Sequence, residues 1–191
     1  IRPGMEIDQT ILDNITSFMI SNIGKLTTNN SIAGSSSVGD PRTVERYLGK
    51  LCGCFIFYKA DRYDVIGRRH MKTSAKFYLA DTGFRDAVLL GSEYDEGALL
   101  ENAVFIELLR RGYRVSVGSY RDKEIDFTAW MDEGPEFYQV ALTVQDKKVL
   151  EREVRSMAKL DGRKFLITMD ADVPDVPDGI EFIRAVDFFM G

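Results

Sequence analysis

The sequence is poor in the residues that build metal and redox centres. Its 191 residues include one histidine, His70, and two cysteines, Cys52 and Cys54. A lone histidine excludes a multi-histidine metal site, and two cysteines exclude a zinc finger. The cysteines are one residue apart, too close to staple a fold. They read as buried reduced thiols, which suits a cytoplasmic protein. No apolar run approaches the roughly 18 residues that a membrane helix needs, and the N-terminus lacks a signal-peptide pattern. The phosphate-cradling GxxxxGK[S/T] motif is absent, so this chain holds no such nucleotide site. With 5 prolines, 16 glycines, 45% hydrophobic and 29% charged residues, the composition is neither disordered nor collagen-like. Any catalysis must rest on carboxylates, amides, hydroxyls and lysines.

Charge is unevenly spread. The net charge is −5, yet residues 1–92 carry 12 basic and 9 acidic side chains against 13 and 21 in residues 93–191. Between Arg42 and Lys76 stand nine Lys or Arg and three acids. Such a step predicts two modules, 1–91 and 92–191, with different surfaces.

In the first module Ile7, Ile11, Leu12, Ile15, Phe18 and Met19 recur at three- and four-residue steps, predicting an amphipathic helix that ends near Gly24. Residues 26–40 are rich in Thr, Asn, Ser and Gly, with room for a short helix around 31–33 and a loop at 34–37. Asp40 and Pro41 suit the cap and first position of a helix whose stripe is Val44, Tyr47, Leu48 and Leu51. A β run at 55–58, a polar stretch at 61–72 and a returning strand at 76–79 complete a winged helix. Tyr47, Phe55, Phe57 and Tyr58 read as core. Arg42, Thr43, Arg46 and Lys50 fall near the start or outer face of the recognition helix, and Arg62, Arg68, Arg69 and Lys72 on the wing. Those positions suit DNA, with the helix in the major groove and the wing on phosphates. They also suit a solvated face, or a surface docking onto another domain such as the acidic second module.

The second module, after a connector around 81–91, reads as a helix at 95–111 and strands at 113–117, 125–130 and 137–142. A charged helix at about 147–160 and a strand at 164–169 follow. The loop at 173–178, then 180–183 and 186–190, complete the chain. Helix, three strands, helix, strand is the core of a restriction-endonuclease-like α/β domain with a mixed sheet. On the first helix Ala98, Leu99, Val104, Phe105, Ile106, Leu108 and Leu109 form one face, with Glu107, Arg110 and Arg111 opposite. Glu101 and Asn102 sit inside the apolar arc, where a carboxylate costs several kcal/mol unless compensated. A capped backbone group, an ion pair with a nearby Arg and a site remnant all explain them. Asp126 repeats the anomaly: Ile125, Phe127 and Ala129 alternate with Glu124, Asp126 and Thr128.

The stretches KFYLADTG (76–83), LLEN (99–102), ELLRRG (107–112) and KEIDF (123–127) resemble the C-terminal region of a bacterial and archaeal AAA+ ATPase family. There, a P-loop ATPase precedes a winged helix and a PD-(D/E)xK nuclease-like domain of unknown function. The resemblance covers most of the chain. It implies that Glu101, Asp126 and Gln139 occupy the three catalytic and metal positions, with Mg²⁺ as the metal. It also implies that the ATPase part lies outside this chain, which opens on Ile1 as a fragment would. The expected (Asp/Glu)-x-Lys reads Gln139-Val140-Ala141 here. Gln brings no charge to a hard cation, and Ala141 removes the cation that would stabilise transition-state charge. Lys147 or Lys148 is the candidate substitute. The site therefore reads as degenerate, with weak metal affinity at most. The expected function is a non-catalytic accessory region of an AAA+ ATPase that recognises DNA or a protein partner. A Mg²⁺-dependent nuclease with a relocated lysine and a purely structural or oligomerisation module are the alternatives.

Overall fold

The computed structural model describes residues 7–89, 95–131, 133–173 and 175–191. The boundary expected at 91/92 and part of its connector lie outside them, as do the side chains of Lys72 and Thr73. The elements are α1 (Gln9–Ser21), α2 (Asn29–Ser35), α3 (Pro41–Gly53), β1 (Phe57–Asp64), β2 (Arg69–Leu79), α4 (Gly83–Val88) and α5 (Glu96–Arg110). They continue as β3 (Arg114–Tyr120), β4 (Lys123–Trp130), β5 (Pro135–Ala141), α6 (Lys147–Val154), β6 (Arg163–Thr168), β7 (Glu181–Arg184) and α7 (Ala185–Met190). The fold is a mixed α/β one. No helix of the described residues is long and apolar enough to cross a membrane.

Local chemistry explains the helix starts. Asp8, Asp40, Asp95 and Asp146 each accept backbone N–H groups of the turn that follows, and Pro41 takes the first position of α3. Thr28 and Ser31 form a reciprocal capping box, which carries α2 through all of 29–35 and past the loop expected at Gly34. The polar stretch 61–72 is largely strand, because β1 and β2 pair from Phe57↔Leu79 out to Asp64↔Arg69. Period-2 alternation fails there because both faces of the outer hairpin are partly wet.

One seven-stranded sheet, ordered β2-β1-β3-β4-β5-β6-β7, runs through both halves of the chain. β1 joins β3 in parallel at Arg62↔Val117 to Asp64↔Ser119, while β3, β4 and β5 form an antiparallel meander. β5, β6 and β7 are parallel, with α6 in the crossover between β5 and β6. The larger core gathers Ile15, Val44 and Tyr47 of the N-terminal helices with Phe105, Phe127, Phe165 and Phe188. A smaller core packs Leu150 and Val154 of α6 against Ile125, Phe137 and Leu166. Phe137 and Leu166 lie in one core and their neighbours Tyr138 and Phe165 in the other, so the two cores cover opposite faces of the sheet.

Three expectations are corrected. Phe55 is not core: it follows the end of α3 at φ 57° and is 68% exposed. Cys54 is exposed and Cys52 half-buried, rather than both buried. Glu107 is buried rather than on a polar face, because Arg110 (2.6 Å) and Arg111 (2.7 Å) fold over it and Arg111 also reaches the Phe188 carbonyl of α7.

Candidate functional site

Three carboxylates and one ammonium meet where α5 crosses the sheet. Lys76 of β2 places its Nζ 2.9 Å from Oε1 of Glu101 on α5, 2.7 Å from Oε1 of Glu124 on β4, and 3.8 Å from Oδ1 of Asp126. Lys76 and Tyr78 share a face of β2 by the two-residue period. The Tyr78 hydroxyl donates to the same Glu101 oxygen at 2.7 Å, and its ring stacks on Phe105 at 4.2 Å. Gly24, just past α1, covers the cluster: a Cβ there would lie 3.3 Å from Glu101 Oε1, and its φ of 71° suits glycine. Its N–H donates to the Phe77 carbonyl.

Asp126 reaches this face through a bulge. Pairing between β3 and β4 shifts between Ser116 and Gly118, so Asp126 and Phe127 together face Val117. The alternation expected of β4 breaks there: Ile125 enters the smaller core while Phe127 and Ala129 stay in the larger one. Pairing with β5 stops at Phe127↔Tyr138, and Asp126 Oδ2 accepts the Val140 N–H at 2.8 Å beyond that point.

Gln139 does not join the cluster. Its Nε2 donates to Glu153 Oε2 at 2.9 Å, and its Oε1 accepts from the Ser156 hydroxyl at 3.3 Å, on the α6 side of the sheet. Ala141 packs against the same smaller core. Lys147 and Lys148 are exposed at the start of α6. The cation beside Glu101 and Asp126 is thus Lys76, from the edge strand β2 rather than from β5, and no arginine pairs with Glu101 among the described residues.

The electrostatics follow from burial. The side chain of Lys76 is 4% exposed, and desolvation disfavours its charged form. The carboxylates of Glu101, Asp126 and Glu124 outweigh that and hold the amine above its ordinary value. Burial, then the Glu101 carboxylate, push Asp126 well above the usual carboxylate range, against the pull of Lys76 and the Val140 N–H. The same two causes raise the Tyr78 hydroxyl, which therefore stays a donor.

Mg²⁺ does not fit this arrangement. That ion requires near-octahedral oxygen ligands at about 2.0–2.1 Å and keeps several waters. Here an ammonium already contacts two of the carboxylates, and Gln139 is turned away. No group of three or more His, Cys, Asp or Glu among the described residues is arranged to hold a metal ion.

A pH experiment reads the Asp126 environment. A carboxyl raised in the folded state binds its proton more tightly there than in the unfolded chain. Its contribution therefore lowers stability as pH rises from the ordinary carboxylate value through the folded-state value. Asp126→Asn keeps an oxygen for Val140 and removes the charge. Urea denaturation is expected to show this variant more stable than the parent at pH 8, with the difference vanishing near pH 4. A variant less stable at pH 8 would contradict the burial argument.

The basic positions of the first half form a separate surface. Arg42 and Arg46 are exposed and Lys50 half-buried, at four-residue steps along α3, with Arg46 and Lys50 lying 5.4 and 5.7 Å from the Tyr47 ring centre. Thr43 spends its hydroxyl on Asp40, at 2.8 Å. That hydroxyl, then the Arg42 N–H, hold the Asp40 carboxyl below its usual value. Arg68 and Arg69 are exposed at the hairpin tip, while the Nε of Arg62 is buried without a hydrogen-bond partner.

Sequence reasoning missed Lys76, Tyr78 and Glu124 as cluster members. A signal existed, because Lys76 stands inside the apolar run that forms β2, the same anomaly that marked Glu101.

Comparison with known proteins adds little chemistry. No solved structure matches this chain. An uncharacterized protein of Haemophilus influenzae is 35% identical over 187 residues, covering 96% of this chain and 46% of the relative, so the chain spans about half of that protein's length. A family model described as a domain of unknown function, DUF8612, matches residues 4–95, which hold α1–α4 and the β1–β2 hairpin.

Proposed function

We propose that this chain is a non-catalytic accessory region of a larger AAA+ ATPase, and that it recognises DNA. On this reading α1–α3 with the β1–β2 hairpin form a winged helix, and α5-β3-β4-β5-α6-β6 a PD-(D/E)xK-like unit fused to it through one sheet. The observation that carries it is the Lys76 ammonium on Glu101 and Glu124, which fills the place a catalytic cation would take. The Lys76 and Asp126 side chains are only 4% and 10% exposed, which favours a structural over a catalytic role for them. The excess of basic over acidic side chains in residues 1–92, and Arg42, Arg46 and Lys50 along one side of α3, favour DNA as the partner. A relative about twice as long as the matched region has room for an ATPase part.

The test is duplex binding by fluorescence polarisation across a salt series. Each phosphate contact contributes a slope of about 0.9 in log K against log salt. The triple variant Arg42→Ala, Arg46→Ala, Lys50→Ala is expected to flatten the slope by about 2 to 3. Affinity indifferent to salt and to these substitutions removes the reading.

Cleavage of DNA with Mg²⁺ or Mn²⁺ by the unmodified chain, abolished by Asp126→Asn, would overturn the non-catalytic part of the reading.

A further inference from the structure

A second surface carries chemistry that the α3 reading does not use. The tip of the β1–β2 hairpin, the β3–β4 turn and the segment after α6 enclose a cavity of about 350 Å³. That is near the lower end of the roughly 300–1,000 Å³ range of small-ligand sites. Its wall is aromatic: Tyr63 of β1, Tyr120 of β3 and Phe137 of β5 line it. Tyr63 stands in register with Gly118, two residues before Tyr120, so both tyrosines lie on one face of the sheet.

Its rim is basic. Arg68, held at φ 49° at the hairpin tip, and Lys159 beyond α6 both line the cavity and are exposed. Neither makes a hydrogen bond or ion pair among the described residues, so both charges are available. Asp161 is the one acidic side chain among the described lining residues. The tyrosine hydroxyls are likewise without partners among the described residues.

We infer that this cavity binds a nucleotide unit, with the base on the Tyr63 and Tyr120 rings and the phosphate between Arg68 and Lys159. Flat aromatic side chains receive any base, and flanking cations take the charge that follows it. A purely anionic ligand would leave the tyrosine wall unused, and an apolar one would leave two cations unpaired. The unit comes either from a free nucleotide or from single-stranded nucleic acid. The inference stands whether or not α3 binds duplex.

The protein supplies its own reporter. Trp130 is the single tryptophan of the chain, and its ring packs edge-on against Tyr63, with centroids 4.7 Å apart. Titrating the chain with oligo-dT of about ten nucleotides, and separately with thymidine monophosphate, is expected to give a saturable change in Trp130 emission. Tyr120→Leu is expected to weaken binding about five- to hundredfold, the range of one base–aromatic stack. Lys159→Ala is expected to flatten the oligonucleotide salt slope by about 0.7. Lys159 is exposed and Tyr120 half-buried against the smaller core, so a Tm matching the parent verifies the fold of each variant. Oligonucleotide affinity at least tenfold above that of the monophosphate identifies a strand; equal affinities identify a free nucleotide. No saturable change with either ligand, or a change that both variants leave intact, overturns the inference. These variants keep Arg42, Arg46 and Lys50, so duplex binding through α3 succeeds or fails independently.

Discussion

Lys76→Met is expected to destabilise the protein by about 3–5 kcal/mol, the cost of removing one partner from a buried ion pair. The methionine fills the space of the lysine stem, so the loss reports charge rather than volume. Glu101, Glu124 and Asp126 would then face one another with no ammonium among them. For a chain of this size the loss corresponds to a fall in Tm of about 6–20 °C. Without the ammonium the folded state binds protons more tightly than the unfolded chain, so acidification is expected to recover part of the loss below about pH 5. A Tm within about 2 °C of the parent at pH 7 would show that the carboxylates do not depend on Lys76. The experiment also bears on function, because a lysine needed for stability is a counter-ion first.

Asn102→Leu is the second large effect. Asn102 is 1% exposed, and its amide donates to the Leu79 carbonyl at 2.9 Å while accepting the Leu79 N–H at 2.8 Å. β2 is the edge strand of the sheet and bridges Thr27 at Ala75, so at Leu79, where no further strand pairs among the described residues, this side chain serves the backbone. Leucine has similar volume and leaves both backbone groups buried and unpaired, at about 1–3 kcal/mol each. A loss of about 2–6 kcal/mol in urea unfolding is expected, with the Leu79 amide also losing hydrogen-exchange protection. A loss below about 1 kcal/mol would mean that water replaces the amide.

These two residues show how far the sequence could be read. Glu101 and Asn102 stand out because polar groups inside an apolar helical arc need partners, and both have them. The identity of those partners was not legible. Lys76 lies 25 residues from Glu101 and 50 from Asp126, on a strand whose own alternation names no neighbour. Asp126 was found by strand alternation although its strand does not alternate, because the bulge at Asp126 and Phe127 depends on pairing with β3. Gln139 was placed with Glu101 by resemblance alone, and its hydrogen bonds run to α6 instead.

Local chemistry in the sequence determined where the helices begin, which residues fill their buried stripes, and the order α5-β3-β4-β5-α6-β6. Caps, proline positions and 3.6-residue periodicity act within a few residues of one another, so they survive in a one-dimensional reading. Tertiary structure alone decided that β1 pairs with β3 to make one sheet from two halves of unlike charge. It alone set Lys76 among three acids, turned Gln139 away from them, and brought Tyr63, Tyr120 and Lys159 around one cavity. Each of those contacts joins residues far apart in the chain. Which distant pairs meet is set by burial summed over the whole core, a quantity that no local window contains.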